Sequence, residues 1–153
     1  NTMSNYKIQE KNYSEIDKNL NIVFISAEFN REYTKNLENI NEELLNKNWF
    51  NNITKYLVAG AFEIPWFLKK VIEEVKPDLI ICFWVVIRWE TTHYEMVAWE
   101  SARWIMDLSI QKWNSAIING ILTCENEEQV NARISNTYAI SWLNLITEIQ
   151  KIK

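Results

Sequence analysis

Four apolar runs rich in β-branched residues recur along the chain, each followed by a segment of helical periodicity. This alternation restricts the fold more than any other feature. The runs are Asn21–Ala27, Ile53–Ala59, Leu79–Phe83 and Ala116–Thr123, and the first and third are continuous enough for buried strands. Between them, apolar side chains fall at helical spacing: Leu37, Ile40, Leu44 and Leu45 within 34–48, and Phe67, Leu68, Val71 and Ile72 within 66–74. A third helix is expected from about Thr92 to Lys112, with Glu127–Arg133 and Tyr138–Lys151 as closing helices. Strands joined by helices form right-handed βαβ units, so a parallel sheet covered on both faces follows.

Such a sheet places its ligands beyond the carboxyl ends of its strands. The stretch F-W-V-V-I-R-W-E-T-T-H-Y-E, Phe83 to Glu95, leaves the third run, turns through Arg88, Thr91 and Thr92, and enters the third helix. It carries His93, the one histidine of the chain. An arginine, two threonine hydroxyls and a helix N-terminus are the parts of a phosphate site. The plainer alternatives are an N-cap supplied by Thr91 or Thr92 and a surface histidine.

The 153 residues fit one domain, read as an N-terminal arm over 1–19 and a single unit over 20–153. A formal net charge of −4 leaves no basic footprint for nucleic acid. Cys82 and Cys124 form neither a disulfide framework nor a metal pattern, which favours a reducing compartment. No apolar run reaches the ~20 residues of a membrane helix, and the N-terminus is not a signal peptide, so a cytoplasmic protein is expected.

Three long motifs share one register: G-A-F-E-I-P at 60–65, V-V-I-R-x-E-T-T-H-Y-E at 85–95 and N-G-I-L-T-C-E-N-E-E-Q at 119–129. Through them the chain resembles the 6,7-dimethyl-8-ribityllumazine synthase family from about Asn21 to Arg133, and more weakly beyond. The resemblance implies a flavodoxin-like three-layer α/β/α sandwich on a four-stranded parallel sheet. It also implies condensation of 5-amino-6-(D-ribitylamino)uracil with 3,4-dihydroxy-2-butanone 4-phosphate in riboflavin biosynthesis, with no metal or organic cofactor. Carried over by position, His93 is the general acid/base, a task that suits imidazole. Arg133, Thr91 and the backbone at Glu90 hold the phosphate, and Phe29 stacks on the pyrimidine. Ala61, Phe62 and Glu63 meet the ribityl chain, the backbone of Val86 and Ile87 meets the uracil edge, and Asn119 reaches the substrate from an adjacent subunit. The family assembles as pentamers, some stacked into a shell. The segment Asn136–Ser141 lacks the glycine- and lysine-bearing turn of shell formers, which favours a homopentamer. The alternative is a non-catalytic lumazine- or flavin-binding oligomer with an impaired phosphate site, motivated by Trp89 and by Ser141 at the family lysine position. A generic flavodoxin-like binder is disfavoured, since the first strand is not followed by a Ser/Thr-rich phosphate loop.

The chain holds two glycines and eight tryptophans, where an average glycine usage of about 7% predicts roughly eleven. Trp49 follows Asn-Lys-Asn at a helix end, the usual place of a C-cap glycine. Trp84, Trp89, Trp104, Trp113 and Trp142 fall where the resembled family has glycine. Trp49 and Trp99 fall where glycine is common, and Trp66 where it is plausible. Abundant Ile, Asn and Lys indicate an AT-rich gene. The expectation is that UGA codons specify glycine in the source of this gene and stand here as tryptophan.

Overall fold

The computed structural model describes residues 7–88, 93–111 and 115–152. In chain order the elements are β1 (Ile22–Ala27), α1 (Arg31–Lys47), β2 (Ile53–Val58), α2 (Glu63–Glu74) and β3 (Leu79–Ile87). They continue with α3 (His93–Gln111), β4 (Ala116–Cys124), α4 (Glu127–Arg133) and α5 (Thr137–Ile149). Every strand pair is parallel, in the order β2-β1-β3-β4. The chain winds outward from β1 to β2, then crosses back to place β3 on the other side of β1. That reversal puts α1, α4 and α5 on one face and α2 and α3 on the other. The result is the expected flavodoxin-like three-layer sandwich.

Several boundaries differ from the sequence reading. β3 does not end at Phe83 but runs on to Ile87, because β4 is equally long and each added residue finds a partner, from Trp84 opposite Ile121 to Ile87 opposite Cys124. Cys124 is thus the last residue of β4 rather than lying beyond it, while β2 stops one residue early, at Val58. α1 begins at Arg31 instead of Thr34, α2 at Glu63 instead of Trp66, and α5 spans Thr137–Ile149. Pro65 is tolerated inside α2 because its missing N–H is one that a first helical turn leaves unpaired anyway. The third helix matches within its described residues; Thr92, Lys112 and Trp113 lie outside them.

The core is built on the sheet. Phe24 and Phe83, neighbours on β1 and β3, meet edge to face at 5.2 Å, and Phe50 meets Trp142 at 6.2 Å. Tyr13 and Ile16, from the polar N-terminal stretch, are also buried there, and the Tyr13 hydroxyl donates to Asn144 Oδ1 at 2.7 Å. α1 ends as its sequence foretells: Trp49 adopts φ 70°, its N–H bonds to Asn46 O, and the Phe50 N–H bonds back to Leu45 O at 2.9 Å. These two bonds are a Schellman cap with Trp49 at the left-handed position.

Both cysteines are free and buried. Burial pushes the Cys82 thiol up from its ordinary 9.0 to about 12, and the Tyr138 hydroxyl from 10.0 to about 12, the latter aided by Cys124. Between the ordinary and raised values the unfolded chain has lost these protons while the folded chain keeps them, so stability falls as pH rises through that window. Urea midpoints should therefore decline between about pH 9 and about pH 12, and Tyr138→Phe should decline less steeply than the parent. Identical slopes would remove Tyr138 from the account.

Candidate active site

At the carboxyl edge of the sheet, where the winding reverses between β1 and β3, lies a cavity of about 490 Å³. Parallel strands bring all their carboxyl ends to this one edge, so residues far apart in sequence meet here. The end of β1 contributes Ala27 and Phe29, and the turn after β2 contributes Ala59, Gly60, Ala61 and Phe62, with Glu63 opening α2. The end of β3 contributes Trp84, Val85 and Val86, and α3 contributes His93, Tyr94 and Val97 from its first turns.

The turn carrying Phe29 is held from three sides. The Glu28 and Phe29 N–H groups bond to Val58 O and Ala59 O, extending the β1–β2 ladder beyond its last paired residues. Asn30 sits in the left-handed region at φ 58° and donates its side-chain amide to Val85 O at 2.8 Å. Asparagine tolerates that conformation better than most residues. Phe29 is 60% exposed, so its ring faces the cavity opening and is not core.

Glu63 sits in the first turn of α2, where a carboxylate complements the helix dipole. Gly60 makes room for it: a Cβ there would lie 3.2 Å from Glu63 Oε2. His93, the first residue of α3, is exposed across the cavity from this carboxylate-bearing turn. An imidazole, a carboxylate and an exposed aromatic ring around one cleft suit proton transfer on a flat, hydroxylated ligand.

Of the residues singled out in the sequence, the cavity gathers Phe29, Ala61, Phe62, Glu63, Val86 and His93. Ile87 ends β3 with its side chain on the α1 face, packed against the core. Asn119 and Arg133 do not line the cavity of their own chain. Asn119 Oδ1 accepts from Trp84 Nε1 at 3.0 Å and from the Ile121 N–H at 3.2 Å. Arg133, at the end of α4, donates to Cys124 Sγ at 3.3 Å and Gln129 Oε1 at 3.4 Å. Glu90, Thr91 and Trp89 lie outside the described residues. Arg88 is exposed and engaged by Glu125 at 3.2 Å and Glu95 at 3.9 Å, so it is no open phosphate ligand.

Sequence reasoning did not assign Ala27, Ala59, Tyr94 or Val97 to the site, and it marked Trp84 only as a glycine-like position. Tyr94 follows His93 directly, and Val97 is one helical turn on from it, so the i, i+4 rule would have found Val97. Among the described residues no group of three or more His, Cys, Asp or Glu is arranged to hold a metal ion, and no helix is long and apolar enough to cross a membrane.

Residues 19–151 match the family model described as 6,7-dimethyl-8-ribityllumazine synthase. A protein of that name from Campylobacter jejuni subsp. doylei is 34% identical over 146 residues, covering 88% of this chain and 94% of the relative. One from Limosilactobacillus reuteri is 38% identical over 112 residues, 73% of each chain. One from Polynucleobacter necessarius is 39% identical over 119 residues, covering 76% of this chain and 69% of the relative.

Proposed function

Because the chain belongs to the 6,7-dimethyl-8-ribityllumazine synthase family, we propose that its cavity condenses 5-amino-6-(D-ribitylamino)uracil with 3,4-dihydroxy-2-butanone 4-phosphate. The products are 6,7-dimethyl-8-ribityllumazine, phosphate and water. The observation that carries this reading is the meeting of Phe29, Glu63 and His93 around one cleft.

The roles follow from position and chemistry. Phe29 offers its exposed face to the pyrimidine ring, a flat π-surface for a flat ligand. Glu63 accepts hydrogen bonds from ribityl hydroxyls beside Ala61 and Phe62. The backbone at Val86 and Ile87, at the end of β3, addresses the polar edge of the uracil. The amine attacks the ketone carbonyl and water leaves, giving an imine. The carbon–oxygen bond to phosphate then breaks, and the ribitylamino nitrogen closes the second ring with loss of a second water. Each step moves a proton, and His93 is the group placed to give and take it. Arg133, with Thr91 and the backbone at Glu90, holds the departing phosphate.

The site is completed between subunits: Arg133 and Asn119 serve the cavity of a neighbour in a homopentamer. Two observations support this. Neither residue lines its own cavity, and α3 exposes Met96, Met106 and Ile110, apolar side chains of the kind that mark contact surfaces. Free, buried cysteines fit a cytoplasmic location.

Lumazine absorbance and phosphate release should rise together when both substrates meet this chain. Replacing His93→Gln should lower turnover by about 10²–10⁴-fold while pyrimidine affinity is kept. A parent chain that binds the pyrimidine and releases no phosphate would overturn the reading.

A further inference from the structure

A buried ion pair sits behind the β1–α1 turn that carries Phe29. Glu38, on the second turn of α1, is 1% exposed, a rare burial for a carboxylate. One of its oxygens accepts the Ser26 hydroxyl of β1 at 2.9 Å. The other lies 2.8 Å from Arg31 Nη2, an ionic contact outside hydrogen-bond angles. Arg31 Nη1 reaches Thr34 Oγ1 at 3.3 Å, and that hydroxyl donates to Ala27 O at 2.9 Å. The network joins the last two residues of β1 to the first two turns of α1 and so fixes both ends of the turn 28–30. An apolar pair could join helix to strand at least as well, because burying a charge is itself unfavourable.

We propose that Glu38 is a positioning residue that acts through Arg31 and Ser26 to set the Phe29 ring over the cavity and with it the affinity for the pyrimidine substrate. This rests on the reading of Phe29 as the stacking ring. Glu38→Gln keeps the shape of the side chain but weakens the tie to Arg31, and Arg31→Met breaks the same tie from its exposed end. Each should raise the pyrimidine KM and its calorimetric Kd roughly tenfold, with kcat and the KM of the butanone phosphate held within about twofold. The double variant should be no worse than either single one. Unchanged pyrimidine affinity in both folded variants, or equal losses for both substrates, overturns the proposal. Absent turnover in the parent counts against the function reading alone, since calorimetric affinity still reports on Phe29.

The tryptophans carry a second, independent inference. Six of the eight lie within the described residues. Trp49, Trp66, Trp99 and Trp104 are each more than half exposed. Trp142 is fully buried with its indole N–H unpartnered, and only Trp84 combines burial with a satisfied N–H. Trp49 is the sharpest case. It occupies the left-handed position of a complete Schellman cap at φ 70°, with 73% of its surface in solvent, so no packing offsets the strain. The chain meanwhile holds two glycines. We infer that the native gene product carries glycine at Trp49 and at the other positions written with the same codon, a UGA that its source translates as glycine. Tandem mass spectrometry of the protein from its source cells decides this: a Trp49 peptide lighter by the tryptophan–glycine difference is expected, and tryptophan at that position overturns the inference. In the chain as written, Trp49→Gly should raise Tm by about 2–4 °C, and a fall in Tm would remove the structural argument.

Discussion

An equal mixture of His93→Gln and Arg133→Met subunits, unfolded and refolded together, is expected to regain lumazine synthesis that neither variant shows alone. The cavity of one chain holds His93, Phe29 and Glu63, whereas Arg133 sits at the end of α4 beside Cys124 and outside that cavity. If each site takes its imidazole from one subunit and its phosphate-binding guanidinium from the next, random assembly leaves about a quarter of the interfaces with both natural residues. Arg133→Met gives up guanidinium contacts that include those to Cys124 Sγ at 3.3 Å and Gln129 Oε1 at 3.4 Å, so its circular dichroism and thermal melt are compared with the parent before mixing. Methionine preserves the apolar stem. A site contained within one chain gives the opposite result: every cavity in the mixture lacks one group, and activity stays at the level of the single variants. Sedimentation of the refolded mixture, run beside the assay, separates a failure to assemble from a failure to complement.

How far the sequence could be read follows from which forces act locally. The order of strands and helices was legible because β-branched runs and helical periodicity are local signals, and the edge on which the site lies followed from parallel pairing alone. The end of β3 was not, because residues 84–87 are ordered by pairing with β4, a partner more than thirty positions away. Glu38 and Asn41 show the same limit. They lie on the face of α1 that Leu37, Leu44 and Leu45 announced as buried, yet both are polar. Their burial depends on distant partners: Ser26 for Glu38, and the Ser135 carbonyl with the Ala139 N–H for Asn41. Phe29 reads from sequence as either core or ligand contact, and its 60% exposure removes the core reading. Arg133 and Asn119 enter as site candidates only through the shared register of three motifs, since neither lines the cavity of its own chain. Trp49 is the reverse case, because its left-handed position at φ 70° is legible in the sequence from the helix end alone.

Gly120→Ala is expected to be strongly destabilising, far more so than the same change at Gly60. Gly120 lies in β4 opposite Phe83, and a Cβ there would stand 2.7 Å from the carbonyl oxygen of Cys82 and 3.0 Å from Phe83 Cδ1. Its φ is not positive, so the requirement is space and not backbone conformation. Neither neighbour can yield easily. The carbonyl belongs to a central strand bonded on both sides, and the Phe83 ring is wedged between Phe24 at 5.2 Å and Tyr138 at 6.1 Å. Overpacking of this kind costs about 1–3 kcal/mol or more, a large share of the ~5–15 kcal/mol that holds a typical domain together. Denaturant midpoints should drop accordingly, with loss of soluble protein at the upper end of that range. Gly60→Ala supplies the contrast, because the atom its Cβ meets at 3.2 Å is the free end of the Glu63 carboxylate, which can swing aside. That variant should keep its midpoint within about 0.5 kcal/mol, as ordinary surface substitutions do, yet weaken pyrimidine binding by moving the group that meets the ribityl chain. A stability loss at Gly60 equal to that at Gly120 would mean that both glycines serve the sheet, and Glu63 would lose its claim on the ligand.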